Sequence, residues 1–241
     1  MNEFKDKIVI VTGGASGIGK SVCEEFFKCG AKVIVIDKNE PDTDCDFFYK
    51  GDITEQEVLV DFAQAVINKY GKIDFLINNA GLSKGGLFSC SLEDFLYVQK
   101  LSLLAPFALV KLFINSFNKD AVIINISSTR AFQSQSDWES YAAAKGGIIS
   151  LTHSMAVSLK GIARVNSISP GWIDTVGYDF SESDIKQHPA NRVGEPIDIA
   201  NAVLFLCSEK ARFITGENLI IDGGMSKVMV YHNDEGWVYS G

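Results

Sequence analysis

The stretch KIVIVTGGASGIGK, residues 7–20, joins a β-branched run to a glycine-rich turn and then to a helical pattern. Gly13, Gly17 and Gly19 allow the chain to turn tightly between the strand and the helix. The free N–H groups and the positive dipole at the start of that helix suit the pyrophosphate of a nucleotide. The stretch therefore predicts a nucleotide-binding βα unit at the beginning of the fold.

Further β-branched runs follow this unit along the chain. The predicted strands cover residues 7–13, 32–37, 46–52 (the weakest), 73–81, 121–128, 164–171 and 218–224. Near-continuous apolar runs of this kind are typical of strands covered on both faces, as in a parallel sheet. Helical patterns between them complete a βαβ alternation. We therefore predict a single-domain α/β fold, a Rossmann-type doubly wound parallel sheet of about seven strands with helices on both faces.

The sequence also marks where helices begin and where the domain ends. Thr54 and Glu57 form a predicted capping box, and Ser91 is the predicted N-cap of a long apolar helix. No repeat or linker divides the chain. We therefore expect one domain over residues 1–224 and a C-terminal tail over 225–241.

The composition favours a globular protein with a small-molecule ligand. The 241 residues are 46% hydrophobic and carry a net charge of −8, which argues against nucleic acid or an anionic membrane surface as a partner. Five cysteines without a Cys-x-x-Cys pair indicate neither a disulfide framework nor a metal site. No signal peptide is recognisable, and no run approaches a membrane span. A cytoplasmic protein with reduced thiols is expected.

The second predicted strand ends in Asp37, 18 residues after Gly19, and this acid bears on the choice of nucleotide. A carboxylate there can accept hydrogen bonds from both hydroxyls of an adenosine ribose. It would repel the 2′-phosphate of NADP, and Ser16 stands before Gly17 where a basic residue would offset that repulsion. The pattern favours NAD over NADP. Methyltransferases that bind S-adenosylmethionine also use a glycine-rich turn followed by an acid, so this part of the sequence alone leaves that class open.

The stretch ESYAAAKGG, residues 139–147, sets Tyr141 and Lys145 four residues apart. On a helix this spacing places both side chains on one face. Ser128 stands thirteen residues before Tyr141, at the end of the fifth predicted strand. A phenol can act as acid or base on a substrate oxygen when a neighbouring positive charge lowers its pKa. The three side chains are therefore candidate catalytic groups.

In this order and on these strand ends, the motifs together resemble the short-chain dehydrogenase/reductase family over nearly the whole chain. The matching elements are TGGASGIG at 12–19, Asp52 after the third strand, NNAG at 78–81, Ser128, Tyr141 with Lys145, and PGWIDT at 170–175. The resemblance implies an oxidoreductase that transfers a hydride between nicotinamide and a secondary alcohol or ketone. Tyr141 would be the acid or base and Ser128 would polarise the carbonyl. Lys145 would lower the pKa of the tyrosine and bind the nicotinamide ribose.

The same resemblance implies a set of residues that contact NAD. These are Gly13, Ser16, Gly17, Ile18, Gly19, Asp37, Asp52, Ile53, Asn79, Ala80, Gly81, Tyr141, Lys145, Pro170, Gly171, Ile173 and Thr175. In the family, the segment that includes Asn79 supports the adenosine side of the cofactor. The segment that ends at Thr175 lies along the nicotinamide carboxamide.

One position departs from the family pattern. Members usually carry an asparagine in the fourth helix, whose backbone distortion holds a water between the lysine and solvent, and Ser102 stands there in this chain. Serine can also hydrogen-bond within a helix and bend it slightly, so Ser102 is a candidate member of the catalytic proton relay. The alternative is a protein that binds NAD with weak or no catalysis.

The substrate is expected to be a small secondary alcohol or ketone. Residues 176–191 form a polar, fairly acidic stretch where the family keeps a substrate lid, and Tyr178, Phe180 and His188 are groups that a lid would fold over a ligand. The alternative is an ordinary solvated surface loop. An alternative within the family is a 3-oxoacyl thioester carried on an acyl carrier protein. That acidic partner fits poorly with a chain of net charge −8 and four arginines.

Family members are usually dimers or tetramers that meet through helices corresponding here to 92–117 and 139–160, so a homo-oligomer is expected. The tail carries Tyr231, Trp237 and Tyr239, and this aromatic content predicts packing on its own subunit. The alternative is contact with the active site of a neighbouring subunit.

Overall fold

In a computed structural model that describes residues 3–238, the core of the chain is a sheet of seven parallel strands. The strands are β1 (Ile8–Thr12), β2 (Lys32–Asp37), β3 (Phe47–Lys50), β4 (Ile73–Asn78), β5 (Phe117–Ile126), β6 (Ala163–Pro170) and β7 (Asn218–Ile221). Every predicted strand is present, and the spatial order is β3-β2-β1-β4-β5-β6-β7. The direction of travel reverses between β1 and β4, so the carboxyl ends of these strands border the crevice where such folds bind ligands.

Within the described part of the chain, seven α-helices cover the two faces of the sheet. They are α1 (Gly17–Lys28), α2 (Gln56–Tyr70), α3 (Leu92–Gln99), α4 (Ala105–Phe113), α5 (Glu139–Ser158), α6 (Glu182–Lys186) and α7 (Pro196–Cys207). Alternate residues of β1 enter opposite cores: Val9 and Val11 pack with α1 and α7, whereas Ile10 packs with α2, α4 and α5. The predicted doubly wound sheet with helices on both faces is confirmed.

The start of α2 differs from the sequence prediction. The helix begins at Gln56 after Glu55, so Thr54 and Glu57 do not form a capping box. Instead, the backbone N–H and the hydroxyl of Thr54 both donate to Asp52, at 3.0 and 2.8 Å. The Asp52 carboxylate thus accepts hydrogen bonds from the same Thr54 groups that the predicted capping box would have used.

The predicted long helix after Ser91 is present but not uniform. Ser91 caps α3 by accepting the N–H of Asp94 at 3.0 Å, and a π-helical turn over Lys100–Leu104 joins α3 to α4. Contrary to the sequence expectation, Leu92–Phe113 is long and apolar enough to cross a membrane by length and composition, with a mean hydropathy of 1.4. In the fold this segment is an outer helix whose buried side chains pack against the sheet.

The described part of the C-terminal tail, residues 225–238, lies largely exposed on the surface. Its described part contains two short 3₁₀ turns, Met225–Lys227 and Asp234–Gly236. Tyr231 is 66% exposed and Trp237 is 45% exposed, so neither ring is fully covered, and packing of the tail on its own subunit stays a prediction. Tyr239 lies outside the described residues.

Candidate active site

The glycine-rich turn between β1 and α1 forms one end of the crevice. Gly13 has a φ of +66°, and a Cβ there would meet the Cα of Ala80 at 2.9 Å. A Cβ on Gly19 would collide with the carbonyl oxygen of Gly13 and would lie 2.5 Å from the side-chain nitrogen of Asn79. Glycine is required at both positions, because the turn packs directly on the loop that follows β4.

Asn79 holds this turn in place. Its side-chain amide donates to the carbonyl oxygens of Thr12 and Gly13 at 3.0 and 2.9 Å. Its backbone N–H donates to the Thr12 hydroxyl at 3.0 Å. The side chain of Asn79 therefore braces the glycine-rich turn from the neighbouring strand end.

From this turn, a cleft of about 1160 Å³ runs over the carboxyl ends of the central strands. The predicted site residues that line it are Gly13, Ser16, Gly17, Ile18, Asp37, Asp52, Ile53, Asn79, Ala80, Gly81, Ser128, Tyr141, Lys145, Pro170, Gly171, Ile173 and Thr175. Two other predicted residues do not line it: Gly19 is buried beneath the turn, and Ser102 lies behind Gly81. The cleft exceeds the usual size of a site for one small ligand, so it has room for a dinucleotide and a small substrate.

Asp37 lies at the carboxyl end of β2, beside the turn. Its carboxylate accepts the N–H of Ala15 at 3.0 Å and that of Asn39 at 2.9 Å. These backbone contacts orient both carboxylate oxygens. The acid thus stabilises the local turn and also presents a negative charge to this end of the cleft.

Lys38, which the sequence reasoning missed, places a positive charge next to Asp37. Its ammonium group pairs with Asp52 at 3.0 Å, and the Tyr97 hydroxyl donates to the same carboxylate at 3.0 Å. Burial acts to raise the pKa of Asp52, but hydrogen bonds from Thr54 and from this pair of side chains hold it below its ordinary value. The charge of Lys38 is therefore already engaged by a carboxylate.

Ser128 and Tyr141 both line the cleft, and their hydroxyl groups lie close enough to interact. Ser128 follows β5, and its hydroxyl accepts the N–H of Arg130 at 3.2 Å. Tyr141 projects from the first turn of α5. Burial raises the pKa of its phenol, while the nearby hydroxyl of Ser128 and the positive charge of Arg130 act against that rise. The arrangement brings a hydroxyl donor and a titratable phenol to one point.

Lys145 lies one turn further along α5 and is almost completely enclosed, with 2% of its surface exposed. Its Nζ donates to the carbonyl oxygen of Ile126 at 2.7 Å and lies 5.3 Å from the centroid of the Tyr141 ring. Burial lowers the pKa of the ammonium group to about 8. The effect of Lys145 on the pKa of Tyr141 stays a prediction, since the charge seen to oppose the rise in that pKa belongs to Arg130.

Ser102 lies in the π-helical turn and faces the same space as Lys145. A Cβ on Gly81 would be 3.1 Å from the Nζ of Lys145 and 3.4 Å from the Oγ of Ser102. The Ser102 hydroxyl is buried and has no hydrogen-bond partner among residues 3–238. The sequence predicted a slight bend here, and the structure has a full π-helical turn, a distortion often found at functional sites. A buried hydroxyl beside the lysine fits a proton relay.

The predicted lid, residues 176–191, carries the short helix α6 and borders the cleft. Phe180 packs edge-to-face on Trp172, with 5.3 Å between the ring centroids. The expectation that His188 faces a ligand is wrong. This residue is 2% exposed, does not line the cleft and has its Nδ1 at 2.9 Å from the carbonyl oxygen of Asp184.

Sequence reasoning also missed Arg130, which lines the cleft two residues after Ser128. Its guanidinium lies 3.8 Å over the ring of Trp138, and Trp138 packs edge-to-face on Tyr141 at 5.8 Å. The sequence position of Arg130 could have identified it, because a long side chain two residues after Ser128 can reach the same cleft.

Residues 13–226 match the family model described as enoyl-(acyl carrier protein) reductase. An uncharacterized oxidoreductase of Thermotoga maritima is 40% identical, over 95% of this chain and 99% of that protein. A 3-oxoacyl-[acyl-carrier-protein] reductase of Vibrio cholerae is 34% identical, over 92% and 98%. A 7alpha-hydroxysteroid dehydrogenase of Escherichia coli K12 is also 34% identical, over 90% and 93%.

Solved structures are similar over the same extent. An apo SCOR enzyme from Clostridium thermocellum has a TM-score of 0.92 and 44% identity, over 98% of this chain and 99% of that one. A short chain dehydrogenase family protein from Francisella tularensis has a TM-score of 0.84 and 30% identity, over 92% and 99%. A 4-hydroxyisoleucine dehydrogenase complexed with NADH has a TM-score of 0.83 and 31% identity, over 92% and 100%.

Proposed function

The chain belongs to the short-chain dehydrogenase/reductase family, and we propose that it transfers a hydride between NAD(H) and a small secondary alcohol or ketone. It is an oxidoreductase acting on CH–OH groups, and this membership excludes the methyltransferase alternative. One observation carries the proposal. Ser128 and Tyr141 lie together beside the buried Lys145, in a cleft that begins at a glycine-rich turn.

The residues around the turn fit a dinucleotide. Gly13 and Gly19 keep side chains out of the turn, and the amino end of α1 directs backbone N–H groups and positive dipole toward a pyrophosphate. Asp37 would accept hydrogen bonds from the adenosine ribose, and its charge disfavours the 2′-phosphate of NADP. When bound, the nicotinamide supplies the group that takes up or delivers the hydride. The NADH complex of a relative supports this choice of cofactor.

Ser128 and Tyr141 would both contact the substrate oxygen. In the oxidation direction, the hydroxyl proton of the alcohol passes to the Tyr141 phenolate, and the hydrogen on the same carbon leaves with its electron pair, so that a ketone forms. In reduction, the phenol returns the proton to the oxygen. The Ser128 hydroxyl donates to that oxygen and stabilises the charge that develops on it. Lys145 would favour the phenolate through its positive charge and bind the nicotinamide ribose.

Two alternatives differ from this proposal, one in the substrate and the other in the catalytic activity. The Vibrio cholerae relative supports a 3-oxoacyl-thioester reductase, although the net charge of −8 disfavours docking of an acidic carrier protein. A higher kcat/KM for a 3-oxoacyl thioester than for small ketones would favour that activity. The second alternative, an NAD-binding protein with weak or no catalysis, rests on Ser102 replacing the asparagine of the family.

Asp37→Asn is expected to weaken NADH binding and to improve NADPH binding, each by about tenfold. The amide oxygen can still accept the N–H of Ala15, while the bond from Asn39 and the negative charge are lost. Dissociation constants for both cofactors, measured by nicotinamide fluorescence, check the prediction. Asp61→Asn, which removes an exposed acid from α2, is the matched control. An unchanged preference between NADH and NADPH in Asp37→Asn would contradict the assignment.

Ser102→Ala is expected to lower kcat by about tenfold without lowering the melting temperature. The reason is that the lost hydroxyl is buried and unpartnered among residues 3–238, so it contributes to proton transfer and not to stability. Ser102→Asn, in contrast to Ser102→Ala, should have a kcat similar to that of the wild type. Ser150→Ala, which removes an exposed hydroxyl from α5, is the control and should leave kcat unchanged. Steady-state kinetics with thermal melts give both quantities. If Ser102→Ala retains full kcat, the hydroxyl has no part in a relay.

We also propose a homo-oligomer that forms through α3, α4 and α5. Large apolar side chains are exposed on these helices: Leu92, Leu96, Leu104 and Phe107 near α3 and α4, and Val157 on α5. Burying them against a second copy would remove apolar surface from water. The cytoplasmic location stays a prediction.

A further inference from the structure

Arg130 is a cation in the cleft that has no carboxylate partner within residues 3–238. One nitrogen of its guanidinium donates to the side-chain oxygen of Gln135 at 2.6 Å. Burial lowers the pKa of the guanidinium, and Tyr141 acts against that change. Arg192, by comparison, makes two bonds of 2.6 Å to Asp198. A guanidinium has five N–H donors, so Arg130 retains donors for a ligand.

Packing fixes the direction of this guanidinium. Its carbon lies 3.8 Å from the centroid of the Trp138 ring, a stacked cation–π contact. Trp138 in turn packs on Tyr141, and the backbone N–H of Arg130 donates to Ser128. The position of the cation is therefore tied to the two groups that would hold the substrate oxygen. A planar guanidinium held in this way can donate two parallel hydrogen bonds to a carboxylate.

The charge distribution along the cleft also favours an anion here. Among the described lining residues, the acidic side chains are Asp37 and Asp52, both at the nucleotide end. The lining residues that follow Arg130 along the chain carry no charge: Gln133, Ser134, Gln135 and Trp138. The acids of the lid do not line the cleft. A protein of net charge −8 thus keeps the substrate end of its cleft free of lining carboxylates.

We propose that Arg130 binds the carboxylate of the substrate, so that the enzyme acts on small hydroxy acids and the corresponding oxo acids. This inference rests on the proposed function and narrows its substrate class. The hydroxyl or oxo group lies at Ser128 and Tyr141, and the carboxylate lies at the guanidinium stacked on Trp138. Arg130 is a specificity residue, since it contacts a part of the substrate that does not react.

The test compares hydroxy acids with their methyl esters, which keep the reacting carbon but lack the charge. Short straight-chain acids with the hydroxyl at carbon 2, 3 or 4 are assayed with NAD⁺ in the wild type and in Arg130→Gln. We expect the acid-to-ester ratio of kcat/KM to fall by about tenfold to a hundredfold in the variant, because KM for the acid rises. Because the charge of Arg130 also lowers the pKa of Tyr141, the ratio is used: that effect is common to acid and ester and cancels.

Two further variants give the comparison its controls. Arg130→Lys keeps the charge but not the planar fork, so its ratio should fall between those of the wild type and Arg130→Gln. Arg212→Gln removes an exposed arginine outside the cleft and should leave the ratio unchanged. An equal loss for acid and ester in Arg130→Gln, or no loss for either, would overturn the proposal.

A binding measurement separates this inference from the proposed function. Acetate, malonate and succinate are titrated into the enzyme–NADH complex, with nicotinamide fluorescence as the readout. Weaker binding of at least one of them to Arg130→Gln supports the anion site even where no tested acid is turned over. Equal binding to wild type and variant overturns it. Turnover of neutral ketones alone, with no carboxylate binding, would leave the proposed function standing and the carboxylate specificity refuted.

Discussion

Tyr141→Phe is expected to lower kcat/KM by about a thousandfold, while the dissociation constant for NADH changes by less than about threefold. The substitution removes the phenolic oxygen that would exchange a proton with the substrate. It keeps the ring, and with it the edge-to-face contact with Trp138. Absorbance of NADH at 340 nm measures turnover, and nicotinamide fluorescence measures binding.

The pH dependence of the wild type gives a second readout of the same group. Burial raises the pKa of the Tyr141 phenol, and oxidation of an alcohol requires the deprotonated form. The kcat/KM for oxidation should therefore rise with pH, and that for reduction should fall. Tyr231→Phe, on the exposed tail, is the control. A loss of less than tenfold in Tyr141→Phe would contradict the acid–base role of this residue.

Lys145→Met is expected to lower kcat/KM by about a hundredfold and to weaken NADH binding. The side chain has a similar length but carries no charge to favour the phenolate and no donor for a ribose. In the variant, the pH profile for oxidation should shift to higher pH, because the phenol loses a nearby positive charge. Lys119→Met, at an exposed position in β5, is the matched control. An unshifted profile would contradict a role for Lys145 on Tyr141.

Stability gives an independent readout for Lys145. Burial lowers its pKa from 10.5 to about 8, so between these pH values the unfolded chain holds a proton that the folded chain has lost. The free energy of unfolding of the wild type therefore rises with pH over this window. Lys145→Met lacks this contribution, and its melting temperature relative to that of the wild type should fall from pH 7 to pH 10. A constant difference would contradict the lowered pKa of Lys145.

Much of the fold was predictable because strands in a parallel sheet are apolar on both faces. The runs of β1, β2 and β4 are nearly unbroken, and their buried residues alternate between two cores. The local capping at Thr54 was not predictable. A Thr-x-x-Glu pattern indicates a helix start, but here the carboxylate of Asp52 competes for the same groups.

The candidate site was predictable where backbone position fixes the side chain. Ser128 at a strand end and Tyr141 with Lys145 on one helical turn meet because the sheet order brings β5 and α5 together. Arg130 was missed and His188 was expected to face a ligand, because tertiary packing sets the direction of long side chains and of side chains in a lid. The guanidinium of Arg130 lies over the ring of Trp138, and His188 is buried with its ring centroid 6.2 Å from that of Trp172. The π-helical turn at Ser102 likewise has no residue pattern that marks its full extent.

The most direct test of the central claim is cofactor oxidation by wild-type protein and Tyr141→Phe against one fixed set of carbonyl compounds. The set comprises short oxo acids, their methyl esters, cyclic ketones and a 3-oxoacyl thioester, each with NADH and with NADPH at pH 7. We predict that at least one compound is reduced with NADH, more slowly with NADPH, and about a thousandfold more slowly by the variant. NADH oxidation at the same rate by both proteins, for every compound, would contradict the account.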